Sequence, residues 1–406
     1  MHRKEYETGK YCPLDNVRIL DLSRVMAGNS LSYYLADFGA EVIKVEQPGA
    51  GDPLRAIGRE HVSPFWKVLS RNKKSIAINL KTPEGIELVK KLVMDADVLL
   101  ENFRLGTLEK MGLGPEVLHS LNEKLVFVRI SGWGGTGPYS HKPGFGTLIE
   151  AFSGFAAKNG FPDRPPLLPN LGLADTVCGL TGAVATMVAL REVEVNEGKG
   201  QVIDLSILDA MVAFLATDAA QFVVTGVKPG RAGNRGQVAA PRNLYRTKDD
   251  SHVAMSASTQ TMTEKLLAAI DRSELITDPR FATSEARMKN ADELDCIIEA
   301  FMMNRTLDEN LEFFDAHGIT AGPVYDVEQL CRDPHVIERE ILVEMEDEDV
   351  GWLPMPSPPA RLSTTPAAIR QPAPGLGSHT AELLTELGLS GAEIRTFEAT
   401  GVVQCS

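Results

Sequence analysis

"VRILDLSRVMAGNSLSYYLADFGAEVIKVE", residues 17–46, decides the fold. "VRILDL" (Val17–Leu22) is a short apolar run and "EVIKVE" (Glu41–Glu46) is a second. Between them "NSLSYYLADFGA" has helical apolar spacing and stops near Gly39. Two buried strands joined through one helix make a βαβ unit, which implies a parallel sheet with right-handed crossovers. The alternation continues outward. "SIAINL" (Ser75–Leu80) reads as a strand, and "TPEGIELVKKLVMDA" as a helix with Thr82 as N-cap and Pro83 in its first turn. "VLLEN" (Val98–Asn102) and "LVFVRISGW" (Leu125–Trp133) read as further strands.

This pattern predicts an α/β, doubly wound, parallel-sheet (Rossmann-like) large domain. A dinucleotide reading is excluded because "LSRVMAGNS" stands where a G-x-G-x-x-G fingerprint would have to be. "VIDLSILDAMVAFLATDAAQFVV" reads as a strand running into one long helix. "TGVKPGRAGNRGQVAAPRNLY" (Thr225–Tyr245) is rich in glycine, arginine and proline and reads as a domain junction. A strand at "HVAMSAS" and helices near 261–270, 293–303 and 307–317 predict a smaller α+β domain. Proline-rich "SPPARLSTTPAAIRQPAPGLG" (Ser357–Gly377) reads as a segment laid across another surface. The expected division is 1–224 for the first part of the large domain, 225–330 for the smaller one, and 331–406 for a linker and C-terminal segment returning to the large domain.

Lys and Arg total 41 against 55 Asp and Glu, so the net charge is −14. That excludes a general nucleic-acid surface, which needs a basic footprint. The five cysteines (12, 178, 296, 331, 405) are scattered and form no C-x-x-C pair, so neither a disulfide framework nor a zinc knuckle is expected. The first residues are too charged for a signal-peptide core, and no run approaches the roughly 18 uninterrupted apolar residues of a membrane helix. A cytoplasmic protein with no membrane segment, metal or prosthetic group is the expectation.

Within an acidic chain, the turn "SRNKKS" (Ser70–Ser75) gathers Arg71, Lys73 and Lys74. Those cations read either as a solvated turn or as a phosphate-binding cluster to which Lys110 adds. "LPNLGLADTVCGLTGAVATMVAL" (Leu168–Leu190) holds a lone carboxylate, Asp175, at the start of an apolar helix. Aspartate is a preferred N-cap, and helix-end N–H groups hold a carboxylate ionised, so Asp175 reads as a cap and as a nucleophile together. Cys178, one turn on, is the competing nucleophile. "RAGNRG" (Arg231–Gly236) reads equally as a mobile glycine loop or a linker.

Seven segments in order carry a resemblance: "PLDNVRILDLSRVMAGNSLSYYLADFGAEVIKVEQPGAGDPLR", "NKKSIAINLKTPEG", "ADVLLENFRLGTLEKMGLG", "ISGWGGTGPY", "GKGQVIDLSILDAM", "GITAGPVYDVEQLCRDPHV" and "LGSHTAELLTELGLS". Together they resemble the class III CoA-transferases over nearly the whole chain. The resemblance implies acyl-CoA as substrate, no prosthetic group, a carboxylic acid as acceptor, and Asp175 as the nucleophile. It implies CoA contacts at Val25 and Ala27, at Arg71, Asn72, Lys73 and Lys74, at Asn102 and Phe103, and at Lys110 and Met111. Arg24 and Met26 replace a His and a Gln that shape the site in some members. Gly233, Asn234, Arg235 and Gly236 match the substrate loop without its run of consecutive glycines, which argues against oxalate. The resemblance also implies an interlocked homodimer with the site near the subunit interface.

One relative activity remains open. The 2-methylacyl-CoA racemases share the fold and use a His–Asp pair. Phe145, counted with the CoA-facing positions, stands where their His would be, and His141 lies outside the motif. A CoA-binding protein without catalysis is the other alternative. The donor and acceptor acids are not legible in the sequence. Arg235, Arg242 and Arg246 are candidates for an acceptor carboxylate or for ordinary surface pairing.

Overall fold

A computed structural model describes residues 1–58, 62–236 and 238–406. Thirteen strands occur among the described residues. They are β1 (His2–Lys4), β2 (Arg18–Asp21), β3 (Glu41–Glu46), β4 (Lys73–Ile78), β5 (Val98–Glu101), β6 (Val126–Ser131), β7 (Val202–Ser206), β8 (Arg242–Arg246), β9 (His252–Ser256), β10 (Ala321–Pro323), β11 (Leu342–Asp347), β12 (Gly351–Pro356) and β13 (Val403–Gln404). The chain divides into two compact units, 1–154 with 169–219 and 334–406, and 155–168 with 220–333.

The larger unit is built on a seven-stranded sheet in the order β13-β4-β3-β2-β5-β6-β7. β2 to β7 are parallel, and β13 closes the edge antiparallel to β4 through Val403 opposite Ile78. Ile19, Val42, Ile76, Leu99 and Val128 are fully buried. A parallel sheet covered on both faces needs such continuous apolar runs, which is why the strands were legible. From β2 the chain winds one way through β3 and β4, then returns to the other side of β2 with β5. The switch point therefore lies between β2 and β5, where ligands of doubly wound sheets bind beyond the carboxyl ends of the strands.

Helix Leu173–Val195 packs on helix Ala27–Asp37. A Cβ at Gly179 would stand 2.7 Å from Ser30 Cβ, and one at Gly182 would stand 2.5 Å from Leu31 Cδ1. The two glycines thus set how closely the helices approach. By length and composition the 23-residue helix would also pass for a membrane span. Its glycine stripe is instead packed in the core of this unit, with Cys178, Thr186 and Leu190 buried.

Several expectations are corrected. The strand expected from Ser75 begins at Lys73, whose side chain is buried and hydrogen-bonded to Asn29 and Ser32. The single long helix after β7 is two, Ile207–Leu215 and Asp218–Thr225, bent by 52° after Ala216 takes φ 47°. The 331–406 segment holds the β11–β12 hairpin, which pairs with β1. It also holds helices Thr380–Glu386 and Gly391–Ala399 and strand β13. The proline-rich stretch does run along this unit, with Ala368 N donating to Asp37 O at 2.9 Å and Asn72 N to Gln371 O at 3.1 Å.

The smaller unit is α+β. Sheet β10-β9-β8 is antiparallel, and helices Gln260–Ala269, Ala291–Met302 and Leu307–Ala316 close over Leu266, Phe281, Ile298 and Phe314. Its boundaries fall at 220 and 333, not 225 and 330. It also includes 155–168, which the sequence pattern places in the large domain. That piece is held by Gly233 N donating to Gly160 O at 2.9 Å and by Arg231 donating to the Phe161 carbonyl at 3.1 Å. Such pairings lie some 70 residues apart in sequence and leave no local pattern.

Candidate active site

A cavity of about 510 Å³ opens at the switch point of the large sheet. The loop after β2 supplies Arg24, Val25, Met26 and Ala27, and the loop after β5 supplies Asn102 and Phe103. Asn102 ties the two loops together: Arg24 N donates to its Oδ1 at 2.8 Å, and its Nδ2 donates to Arg24 O at 2.7 Å. The Arg24 guanidinium lies 4.7 Å from the centre of the Phe103 ring. Phe145 and Asp175 complete the set of expected residues that the structure brings together.

Asp175 is not the N-cap. The helix begins at Leu173 with Gly172 as cap, which places Asp175 third in the first turn. The carboxylate that caps this helix comes from Glu150 on helix Gly146–Phe152, which accepts from Ala174 N at 3.1 Å. A side chain at that third position reaches back to the helix end only by forming a capping box, and Asp175 makes no such bond. Among the described residues no hydrogen bond ends on the Asp175 carboxylate, and it is left to the cavity. The expectation that N–H donors hold it ionised is corrected with it. Burial, and then the neighbouring Glu150 charge, push its carboxyl up to about 6. It remains mostly ionised at neutral pH, and a poorly solvated carboxylate without donors is a better nucleophile than a capped one. Gly146 makes room for it: a Cβ there would stand 2.5 Å from Asp175 Oδ2.

Cys178 is fully buried, and burial with the Asp175 charge pushes its thiol up. A thiol so shifted is not a nucleophile near neutral pH. Of the two residues, Asp175 lines the cavity and Cys178 does not.

The basic turn lies elsewhere. Arg71 is wholly buried, paired with Asp37 at 2.7 Å and donating to the Pro356 carbonyl and Tyr33 hydroxyl. Asn72 holds Asp37 and the Ala368 carbonyl. Lys73 donates to Ser32 Oγ at 2.8 Å and Asn29 Oδ1 at 3.1 Å, and burial pushes its ammonium down to about 7. Lys74 pairs with Glu41 and Glu382. These cations are consumed inside the fold and line no part of the cavity. Lys110 is exposed, Met111 packs against the core beneath, and neither lines it.

In the smaller unit, Arg235 is paired with Asp292 and Asp295 at 2.7 Å each, and Arg246 with Asp250 at 2.7 Å. Arg242 lines a separate hollow of about 350 Å³ with Arg235 and Gly236. Gly233 takes φ 62°, and a Cβ there would strike the Phe161 ring at 2.8 Å. Asn234 is exposed.

Sequence reading missed three contributors. Arg104 and Lys142 line the cavity beside Arg24, so three cations face one carboxylate, Asp175. Arg104 follows "ENF" directly and was legible there; Lys142 sits in a long loop without pattern. Glu150 gave no signal. His141, set outside the racemase motif, also lines the cavity.

The sequence of CoA-transferase family III matches residues 14–380 of this chain. The chain belongs to CoA-transferase family III. It is 42% identical to the succinyl-CoA–D-citramalate CoA-transferase of Chloroflexus aurantiacus, over 96% of this chain and 98% of that protein. It is 34% identical to the succinyl-CoA:glutarate CoA-transferase of Mus musculus, over 97% and 90%. A CaiB/BaiF family protein from Brucella suis has the same fold, with a TM-score of 0.83, 33% identity, and 93% and 100% of the two chains covered. The chain is therefore an enzyme, a CoA-transferase, and CoA thioesters are the substrates of its family.

Proposed function

We propose that this family III CoA-transferase moves CoA from succinyl-CoA to a second dicarboxylic acid through covalent intermediates on Asp175. The observation that carries the reading is that, among the described residues, Asp175 is the one carboxylate lining a cavity that also presents Arg24, Arg104 and Lys142. Three cations suit the phosphates of CoA and the free carboxylate of a diacid thioester. The relatives' acids, citramalate, malate and glutarate, are all dicarboxylic, as is the succinyl group.

Asp175 attacks the thioester carbon, the C–S bond breaks, and CoA thiolate leaves behind a mixed anhydride. The thiolate attacks the aspartyl carbonyl and expels the donor acid, leaving an aspartyl-CoA thioester. The acceptor carboxylate attacks that thioester, releases the thiolate and forms a second anhydride. The thiolate then takes the acceptor's acyl carbon and frees Asp175. The steps alternately exchange a C–S for a C–O bond and a C–O for a C–S bond, so no proton donor or ATP is needed. The three cations stabilise the charge that passes among carboxylate, thiolate and tetrahedral oxyanions.

A homodimer is part of the reading. Helix Leu173–Val195 exposes Leu180, Val184 and Val188 on its outer side, the last two by two thirds. A second copy would cover that face. Work in the cytoplasm is consistent with five free cysteines.

The test is incubation with succinyl-CoA and other acyl-CoAs, borohydride reduction and peptide mapping by mass. Reduction confined to Asp175 is expected, and Asp175→Asn should abolish transfer while CoA still binds. His141 in the cavity supports a second reading, α-proton exchange. Deuterium uptake at the α-carbon of a 2-methylacyl-CoA in D₂O, without an adduct, would establish it instead.

A further inference from the structure

Val25 lines the cavity in a conformation that valine avoids. Its φ is 64°, the left-handed region where a β-branched side chain clashes with its own backbone. Such a residue persists only where its surroundings hold it. Both of its backbone groups are held from within. Val25 N donates to Asp52 Oδ1 at 3.0 Å, and Val25 O accepts from Asn29 Nδ2 at 2.6 Å.

Asn29 is the hub of this grip and is fully buried. Its Nδ2 donates a second time, to Asp52 Oδ2 at 2.9 Å, while its Oδ1 accepts from Lys73 Nζ at 3.1 Å. The Val25 carbonyl and the Asp52 carboxylate can only accept, which fixes the amide's orientation. Asp52 is braced in turn by Lys44 at 3.2 Å and by its own N–H to Glu46 Oε2 at 2.9 Å. Lys73 is braced by Ser32, with Asp21 at 3.8 Å. Thus the cations of β3 and β4, which do not reach the cavity, reach the loop that forms its wall.

We propose that Asn29 is a positioning residue for acyl-CoA: its carboxamide connects Lys73 and Asp52 to the backbone of Val25 and so holds Arg24 and Met26 against the cavity. This rests on the reading that the cavity takes acyl-CoA. Without the carboxamide Val25 O loses its donor, and φ relaxes to negative values. The flanking residues then turn away from the ligand.

The test is a double-mutant cycle of Asn29→Ala and Val25→Gly. CoA binding is read by calorimetry and transfer by the KM for succinyl-CoA against kcat, with thermal unfolding of every variant alongside. Asn29→Ala should weaken CoA and raise KM about ten-fold, the factor that one to two kcal/mol of backbone strain corresponds to. In the Val25→Gly background the same substitution should cost at most about two-fold, because glycine occupies positive φ without steric penalty. A merely structural asparagine would lower stability equally in both backgrounds and leave KM alone. If Asn29→Ala does not fold, Asn29→Ser replaces it, keeping a polar group that is too short to span from Lys73 to Val25. An equal penalty in both backgrounds, or CoA affinity indifferent to residue 29, overturns the positioning role. Wild-type protein that fails to bind CoA overturns the acyl-CoA reading and the positioning role with it.

Discussion

Transfer should fade in mild acid, far above the range of an ordinary aspartate. The carboxyl of Asp175 sits at about 6 because it is buried and faces Glu150. Only the ionised form attacks a thioester. At that value Asp175 is about nine-tenths ionised at pH 7, half at pH 6 and one-tenth at pH 5. The first half-reaction should therefore slow roughly ten-fold between pH 7 and pH 5. An aspartate at its usual 3.8 would still be about nine-tenths ionised at pH 5, and the rate would be flat. The assay is single-turnover release of CoA from succinyl-CoA across pH 5 to 8, with circular dichroism confirming the fold at each point. Glu150→Gln sharpens it. The glutamine keeps an oxygen to accept from Ala174 N while removing the like charge, so the acid limb should move to lower pH. A flat profile down to pH 5 refutes the reasoning. An unmoved limb in Glu150→Gln would leave burial alone as the cause.

Three further outcomes are expected. The folded carboxyl of Asp175 lies above its unfolded value, so its ionisation opposes folding; that cost is absent below pH 3.8 and complete above about pH 6. Asp175→Asn should therefore raise stability by at most about 3 kcal/mol at pH 7.5, read as a higher urea midpoint, and no gain would count against the burial argument. Gly146→Ala places a methyl 2.5 Å from Asp175 Oδ2, so kcat should fall by about ten-fold or more while CoA affinity stays; an unchanged kcat would mean the carboxylate has room to move. Arg71→Leu leaves Asp37 buried without its cation and should cost about 3–5 kcal/mol of stability without changing the KM for acyl-CoA. A raised KM with stability intact would return Arg71 to the ligand site.

The amino-acid sequence by itself determined the parallel sheet and the α+β character of the smaller unit, and it singled out the loops at 24–27 and 102–103 and Asp175 as the candidate nucleophile. The sheet and the smaller unit follow from apolar periodicity and turn chemistry, which are local; the two loops and the candidate nucleophile are what the family resemblance implies, the latter together with one carboxylate in an apolar run. Where a charge ends up is not local. Arg71, Lys73 and Lys74 look like a phosphate cluster, yet Asp37, Asn29, Ser32, Glu41 and Glu382 take them into the fold. Arg104 and Lys142 face the cavity in their place. Glu150, not Asp175, caps the helix. Edge strand β13 and the grip on Val25 likewise join residues far apart in the chain. Only tertiary structure decided these, because the cost of burying a charge depends on which partner folding brings within hydrogen-bond reach, and spacing along the chain does not encode that partner.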